Sequence, residues 1–383
     1  MRFEALIQEQ LQQLARAGLL REPDDGAGRA EVNASAARLG RPVLDASSND
    51  YLDLAEHSVS RETPARAGAG ASRLIHGTTT EHLQLEAALA SWVRAESALL
   101  FSSTYSANLG LLAAVGMQGT SILSDAANHA SIVDGARLAK AEVEIIPHLD
   151  LDAMRSALRS RRAASACWVV TESYFSMDGD GPDLPSLRSL CDEYDACLIV
   201  DEAHALGVFG PTGGGRCAEA GVVPHVLVGA LGKAVGTHGG FVASSKALRG
   251  FLWNRARSFV FSTAPSPRHA ALTREHLETV RHSDALREKL SLQGERLRVL
   301  LRSAGLKIVP GSFGPIVSVV VGDNQAAVEA AARLRGVGIL SQAIRPPTVP
   351  SGSARLRLTI RAAFRDEDIE RLAMAVEVAC RAS

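Results

Sequence analysis

The stretch VLVGALGKAVGTHGGFV, residues 226–242, sets one lysine, Lys233, among five glycines (Gly229, Gly232, Gly236, Gly239 and Gly240) with no acidic neighbour. Apolar residues lead into it, as at the end of a buried strand. A lysine in such a place is costly as an ammonium ion, so burial lowers its pKa and makes the amine a nucleophile. The flanking glycines allow sharp turns and a close backbone approach to a bound group. A phosphate-loop reading would need G-x-x-x-x-G-K-[ST]. Here Leu227 stands at the first glycine position and Ala234 at the hydroxyl position. The loop also follows the acidic strand LIVDEAHALGVFG (198–210) instead of preceding it. The D-E-A-H string is therefore not read as part of an NTPase.

Upstream of Lys233 the pattern alternates. QLEAALASWVRAE reads as helix and ALLFSS as strand; SANLGLLAAVG as helix and SILSD as strand; HASIVDGARLAKA as helix and VEIIP as strand. LDAMRSALRSRR and ACWVVTES, then LPSLRSLCDEYD and CLIVDE, repeat the alternation. Short continuous apolar strands separated by helices predict an α/β fold whose mostly parallel sheet is covered on both faces. Ligands of such sheets sit at the C-terminal ends of the strands. That rule selects Ser102–Ser103, Asp125, Thr171–Glu172 and Asp201. After residue 265 come one or two long Arg- and Glu-rich helices, then a smaller α/β unit with IVSVVVGDN, AAVEAAARLRGVGI, the turn RPPTVPSG and ARLRLTI. The expected organisation is an N-terminal helix and arm (1–45), a large cofactor-binding domain (46–275) and a small C-terminal domain (276–383). Leu6, Leu11, Leu14 and Leu19 give the first segment a helical stripe over residues 3–18.

Composition narrows the function classes. A net charge of −1 gives no electrostatic case for nucleic acid or an anionic membrane. The five cysteines form no C-x-x-C pair, which argues against a zinc ribbon or disulfide framework and fits a reducing cytoplasm; no metal is expected. Glu4, Gln8, Glu9 and Gln12 interrupt any signal-peptide core, and no apolar run is long enough to span a bilayer.

Asp201 at a strand end can be a plain helix cap. Joined to Lys233 it has another use. An aldehyde cofactor that forms a Schiff base with a lysine and needs a carboxylate against its ring nitrogen is pyridoxal phosphate. At this point seven collinear blocks stand out: SSNDYLDL (47–54), GASRLIHGTTTEHLQLE (70–86), NHASIVDGA (128–136), VVTESYFSMDGD (169–180), LIVDEAHALGVFG, GALGKAVGTHGGFV (229–242) and RPPTVPSGSARLRLT (345–359). Together they resemble the α-oxoamine synthases, a subgroup of the fold-type I pyridoxal-phosphate enzymes. The resemblance implies a large domain with a mostly parallel sheet sandwiched by helices, plus a smaller C-terminal α/β domain.

It also implies residue roles. Lys233 is matched to the Schiff-base lysine and Cα base, Asp201 to the partner of the pyridinium nitrogen, and His204 to the donor at the ring oxygen. His129 is matched to the imidazole stacked on the ring, and Ser176 to a serine near the ring oxygen. His129 beside a helix start and Ser176 in a turn have plain structural readings too. Thr104 and Tyr105 open a helix whose first-turn N–H groups suit a phosphate. Thr263 is matched to a hydroxyl given to the phosphate of a partner subunit, implying a homodimer. Arg357 is matched to the carboxylate-gripping arginine, although Arg355 and Arg357 could equally alternate outward on a strand. Asn49 and Arg21 are matched to substrate-lining positions. Four residues depart from the family pattern: Ala230, where a hydroxyl residue is usual, Thr104, His76 and Phe364. The implied reaction is decarboxylative condensation of an amino acid, L-alanine, with an acyl thioester, pimeloyl-CoA or its carrier-protein form. A sister enzyme using glycine or serine with another thioester, and a non-catalytic relative, remain as alternatives.

Overall fold

The computed structural model describes residues 2–20, 27–56, 65–161 and 164–381. Contacts divide it into two compact units, residues 50–176 with 180–288, and residues 1–49 with 177–179 and 289–383.

The first unit holds seven strands: β1 (Ser97–Phe101), β2 (Ser121–Asp125), β3 (Glu142–Ile146), β4 (Cys167–Glu172), β5 (Cys197–Asp201), β6 (Val226–Ala230) and β7 (Gly240–Ser244). They form one sheet in the order β1-β7-β6-β5-β4-β2-β3. β2 through β6 pair in parallel, and β7 runs antiparallel to both β1 and β6. The apolar strands earn their double-sided burial residue by residue. Val170 and Ile199 pack with Leu111, Leu112 and Ile132 on one face. Their chain neighbours Val169, Leu198 and Val200 pack with Met154, Leu187 and Leu190 on the other. That is the period-2 pleat of a sheet covered on both sides. The helices expected between the strands are Thr104–Val115, Ala130–Leu138, Leu151–Ser160 and Leu184–Glu193.

Sequence reading missed β7. Two glycines begin the segment Gly239–Ser244 and only three apolar residues follow, so its strand signal is short. Its pairing explains two of the glycines. A Cβ on Gly240 would sit 2.4 Å from the Thr104 backbone nitrogen, and one on Gly229 would sit 2.3 Å from the Phe241 ring. At these two positions glycine serves close packing of the protein against itself.

At the rim of this sheet, His148 bridges two carboxylates, with Nδ1 2.8 Å from Asp125 and Nε2 3.2 Å from Asp180. Burial by itself would lower the His148 pKa, but the two acids overturn that and raise it to about 10. The folded value lies above the unfolded one, so this stabilisation is full below the ordinary imidazole range and is lost as pH rises through about 10. His148→Gln should therefore lower the melting temperature near about pH 6, with the gap to the parent closing toward about pH 10. A gap that stays constant with pH would contradict the charged bridge.

In the second unit, β8 (Ile316–Gly322), β9 (Gln342–Ile344) and β10 (Ala354–Thr359) form an antiparallel sheet in the order β9-β10-β8. The short parallel pair Leu44–Asp45 with Ile339–Leu340 joins the N-terminal residues to this unit. The helices Arg2–Arg16, Asn324–Gly336 and Asp366–Arg381 belong to it, and Asp284–Ser303 enters it from residue 289. On the first of these helices Leu6, Leu11 and Leu14 are exposed. No helix among the described residues is long and apolar enough to cross a membrane.

Candidate active site

Neighbouring parallel strands β4, β5 and β6 end side by side, and Ser176, Asp201, His204 and Lys233 follow or close their C-terminal ends. Asp201 is the last residue of β5 and stands in register with Glu172 of β4 and Val228 of β6. Lys233 follows β6 by three residues in a tight turn closed by the Gly236 N–H on the Lys233 carbonyl at 2.8 Å. Gly236 has φ +71°, and a Cβ there would lie 2.8 Å from the backbone at Leu54 and Ala55. The turn therefore demands glycine on both conformation and space.

Asp201 does not cap a helix. It is buried, accepts the Ala203 N–H at 2.8 Å, and accepts the Asn108 amide at 2.7 Å. Donors on each oxygen suit a negative charge. His204, also buried, places Nδ1 2.8 Å from the hydroxyl of the fully buried Tyr51. His129 is the N-cap of the helix Ala130–Leu138. Its backbone N–H donates to Glu172 at 2.7 Å, and its Nδ1 lies 2.8 Å from the Ser131 hydroxyl. Crowding by protein atoms is the main influence holding His129 below the usual imidazole range, even though part of the residue faces solvent. The negative charge of Asp201 opposes that shift and the positive charge of Lys233 adds to it. The same two charges act on Glu172 with opposite signs. Lys233, Asp201, His129 and Glu172 thus share one electrostatic neighbourhood.

Glu172 is pushed up to about 8, first by burial and then by the charge of Asp201, while the His129 N–H bond and Lys233 pull the other way. Glu172 therefore keeps its proton well above the ordinary carboxylate range. Its folded pKa lies above the unfolded one, so the associated stability is present below the ordinary carboxylate range and is lost as pH climbs through about 8. Glu172→Gln cannot ionise. Its melting temperature should fall less than the parent's between about pH 6 and about pH 9. Identical pH dependence in the two proteins would refute the assignment.

Thr104 and Tyr105 occupy the first turn of the helix Thr104–Val115, whose N-cap Ser103 accepts the Ser106 N–H. The first N–H groups of a helix lack intrahelical partners. The Thr104 hydroxyl lies 3.4 Å from the Gly229 carbonyl, next to Ala230. The Tyr105 hydroxyl bonds Asp134, and its ring stands edge-on to His129 at 6.4 Å. Ser176 is buried in the loop after β4. Thr263 is exposed and forms an antiparallel bridge with Ser72.

In the second unit Arg357 lies on β10, all six residues of which are buried. The outward-facing alternative for Arg355 and Arg357 is thus excluded. Arg355 pairs with Asp178, whereas Arg357 donates to Thr359 Oγ1 at 3.1 Å and to Asn49 Oδ1 at 2.9 Å. Asn49 and Arg357, 308 residues apart in sequence, therefore meet. Arg21 lies outside the described residues.

Three residues of this network were not singled out from sequence, Tyr51, Asn108 and Ser131, and Glu172 was selected only as part of a strand end. Tyr51 and Ser131 sit inside blocks that were recognised, and Glu172 ends a strand that the C-terminal rule selected. Asn108 carries no sequence signal of its own.

Comparisons with known proteins bear on the family and the fold. The family described as aminotransferase class I and II matches residues 41–376. A putative 8-amino-7-oxononanoate synthase 2 of Bacillus velezensis is 42% identical over 336 residues, covering 86% of this chain and 87% of its own. The 8-amino-7-oxononanoate synthase of Marinobacter nauticus is 40% identical over 377 residues, covering 96% and 94%. The chain belongs to the α-oxoamine synthase family. Among solved structures, a serine palmitoyltransferase of S. paucimobilis with bound PLP superposes with a TM-score of 0.84 at 26% identity, covering 89% of this chain and 88% of that one. This α-oxoamine synthase has the fold-type I pyridoxal-phosphate transferase fold, is an acyltransferase, and takes pyridoxal phosphate as its cofactor. The donor set fits that cofactor, with an amine, a carboxylate accepting two hydrogen bonds and two imidazoles at one sheet edge beside a helix N-terminus.

Proposed function

We propose that the chain condenses L-alanine with a pimeloyl thioester, as pimeloyl-CoA or on a carrier protein, and releases carbon dioxide and thiol to give 8-amino-7-oxononanoate for biotin synthesis. The grouping of Lys233 with Asp201 about His129 and Glu172 carries the reading, and relatives with that activity in their names support the product.

Pyridoxal phosphate supplies an electron sink for the carbanion formed at the amino-acid Cα. Lys233 would hold the cofactor covalently and would take and return the Cα proton. Asp201 would pair with the ring nitrogen and keep its proton there. His204 and Ser176 would hold the ring oxygen, and His129 would pack against the ring. Thr104, Tyr105 and the helix start would receive the phosphate. The Thr104 hydroxyl, 3.4 Å from the Gly229 carbonyl, would offer the contact that Ala230 cannot. Arg357 is the proposed holder of the substrate carboxylate, with Asn49 and Arg21 lining the substrate side.

Thr263 serves the phosphate of a second copy, so the working enzyme is a homodimer. Phe261 and Ile75, 73% and 65% exposed, flank the Ser72–Thr263 bridge and supply apolar surface for that partner.

A serine-using activity is the second reading, favoured by the serine palmitoyltransferase neighbours. Thiol release from a panel of acyl thioesters, each paired with alanine, glycine or serine, separates the two. Alanine with pimeloyl thioester should give the highest kcat/KM. A preference for serine with a long acyl chain would replace the first reading, and no release with any pair would overturn both.

A further inference from the structure

Asn108 and Ser131 lie between two residues already assigned to the site. Asn108 is buried on the helix Thr104–Val115, and Ser131 is buried in the first turn of the helix Ala130–Leu138. These helices cross closely because residue 135 is glycine. A Cβ at Gly135 would stand 2.9 Å from the Asn108 carbonyl oxygen and 3.1 Å from Leu112 Cβ. Ser131 is one turn before that contact, on the same face.

The donors can be oriented without ambiguity. The group of Asn108 that faces Asp201 at 2.7 Å must be its NH2, since its carbonyl would repel a carboxylate. The same NH2 donates its second hydrogen to Ser131 Oγ at 3.0 Å. The Ser131 backbone N–H points at His129 Nδ1 at 3.2 Å, and a backbone N–H can only donate. His129 Nδ1 is therefore an acceptor, and the Ser131 hydroxyl, 2.8 Å away, donates to it as well. A chain of donors runs from Asn108 through Ser131 to the imidazole, anchored at its far end on Asp201.

We propose that Asn108 and Ser131 are positioning residues, joining Asp201 to His129 by a hydrogen-bonded bridge that fixes the imidazole with its proton on Nε2. The ring then covers the cofactor in one orientation and offers an N–H from the edge away from Ser131. The tautomer is a property of the protein alone; only its use in catalysis rests on the proposed function.

The test uses full-length protein labelled with 15N-histidine, examined without cofactor by long-range 1H–15N correlation, with His129→Asn identifying the resonance. Near neutral pH the parent and Ser131→Thr should show one neutral Nε2–H imidazole. Ser131→Ala removes the hydroxyl but keeps the residue 131 backbone N–H on Nδ1, so it should retain the Nε2–H tautomer while moving the His129 Nδ1 resonance and raising the dissociation constant for pyridoxal phosphate about 3–10-fold. Asn108→Ala, which keeps the Ser131 hydroxyl, should move the resonance less; if it fails to fold, Ser131→Ala decides alone. A parent with its proton on Nδ1 would overturn the proposal, as would Ser131→Ala keeping the parent's Nδ1 resonance and affinity. Absent thiol release with an intact Nε2–H signature would count against the reaction and leave the bridge standing.

Discussion

Lys233→Ala should abolish condensation, lowering kcat by at least about a thousandfold, because the proposed function gives one side chain both the covalent attachment and the Cα proton transfer. The cofactor should still bind, held by Asp201, His204 and the helix start at Thr104, but dialysis should remove it. The substitution leaves the turn intact, since that turn is made by the Gly236 N–H on the residue 233 carbonyl and by the conformation of Gly236 itself. Loss of activity in a folded protein thus reports on the amine. Single-turnover thiol release and absorbance before and after dialysis check both parts. A variant that keeps about a tenth of the parent's turnover would place the base elsewhere.

Asp201→Asn should be the second most damaging change. The carboxylate takes the Ala203 N–H on one oxygen and the Asn108 amide on the other. An asparagine must turn its own NH2 toward one of these donors, so the substitution removes the charge and sets donor against donor in a buried place. On the proposed assignment the ring nitrogen would lose its anionic partner at the same time. Breaking such a pair costs about 3–5 kcal/mol, which is a fall of roughly 10²–10³ or more in kcat/KM. The loss should lie in kcat more than in KM, because the charge matters when the carbanion forms. A KM effect alone would mean that Asp201 merely shapes the pocket.

The parts of this site legible in sequence were those that local chemistry makes unusual. Lys233 among glycines and Asp201 at the end of an apolar strand both break the pattern around them, and the alternation of strands and helices placed both at the C-terminal edge of one sheet. What escaped notice depends on distant pairs. Tyr51 is 153 residues from His204, and Asn108 is 93 from Asp201. Tyrosine or asparagine in a buried helix or turn looks the same whether it packs or orients a catalytic group. Arg357 was ambiguous because alternation on a strand does not say which face is inside, and on β10 both faces are buried. β7 escaped because the glycines that permit its close pairing also weaken its apolar signal.

The covalent bond to Lys233 is the claim from which the rest follows, and reductive trapping tests it most directly. The chain has five lysines, Lys140, Lys233, Lys246, Lys289 and Lys307, so peptide mapping after borohydride treatment of the cofactor-loaded protein has few outcomes. The pyridoxyl group should appear on the peptide carrying Lys233 at near-stoichiometric yield and on no other. A label on one of the other four, or none at saturating cofactor, would contradict the account.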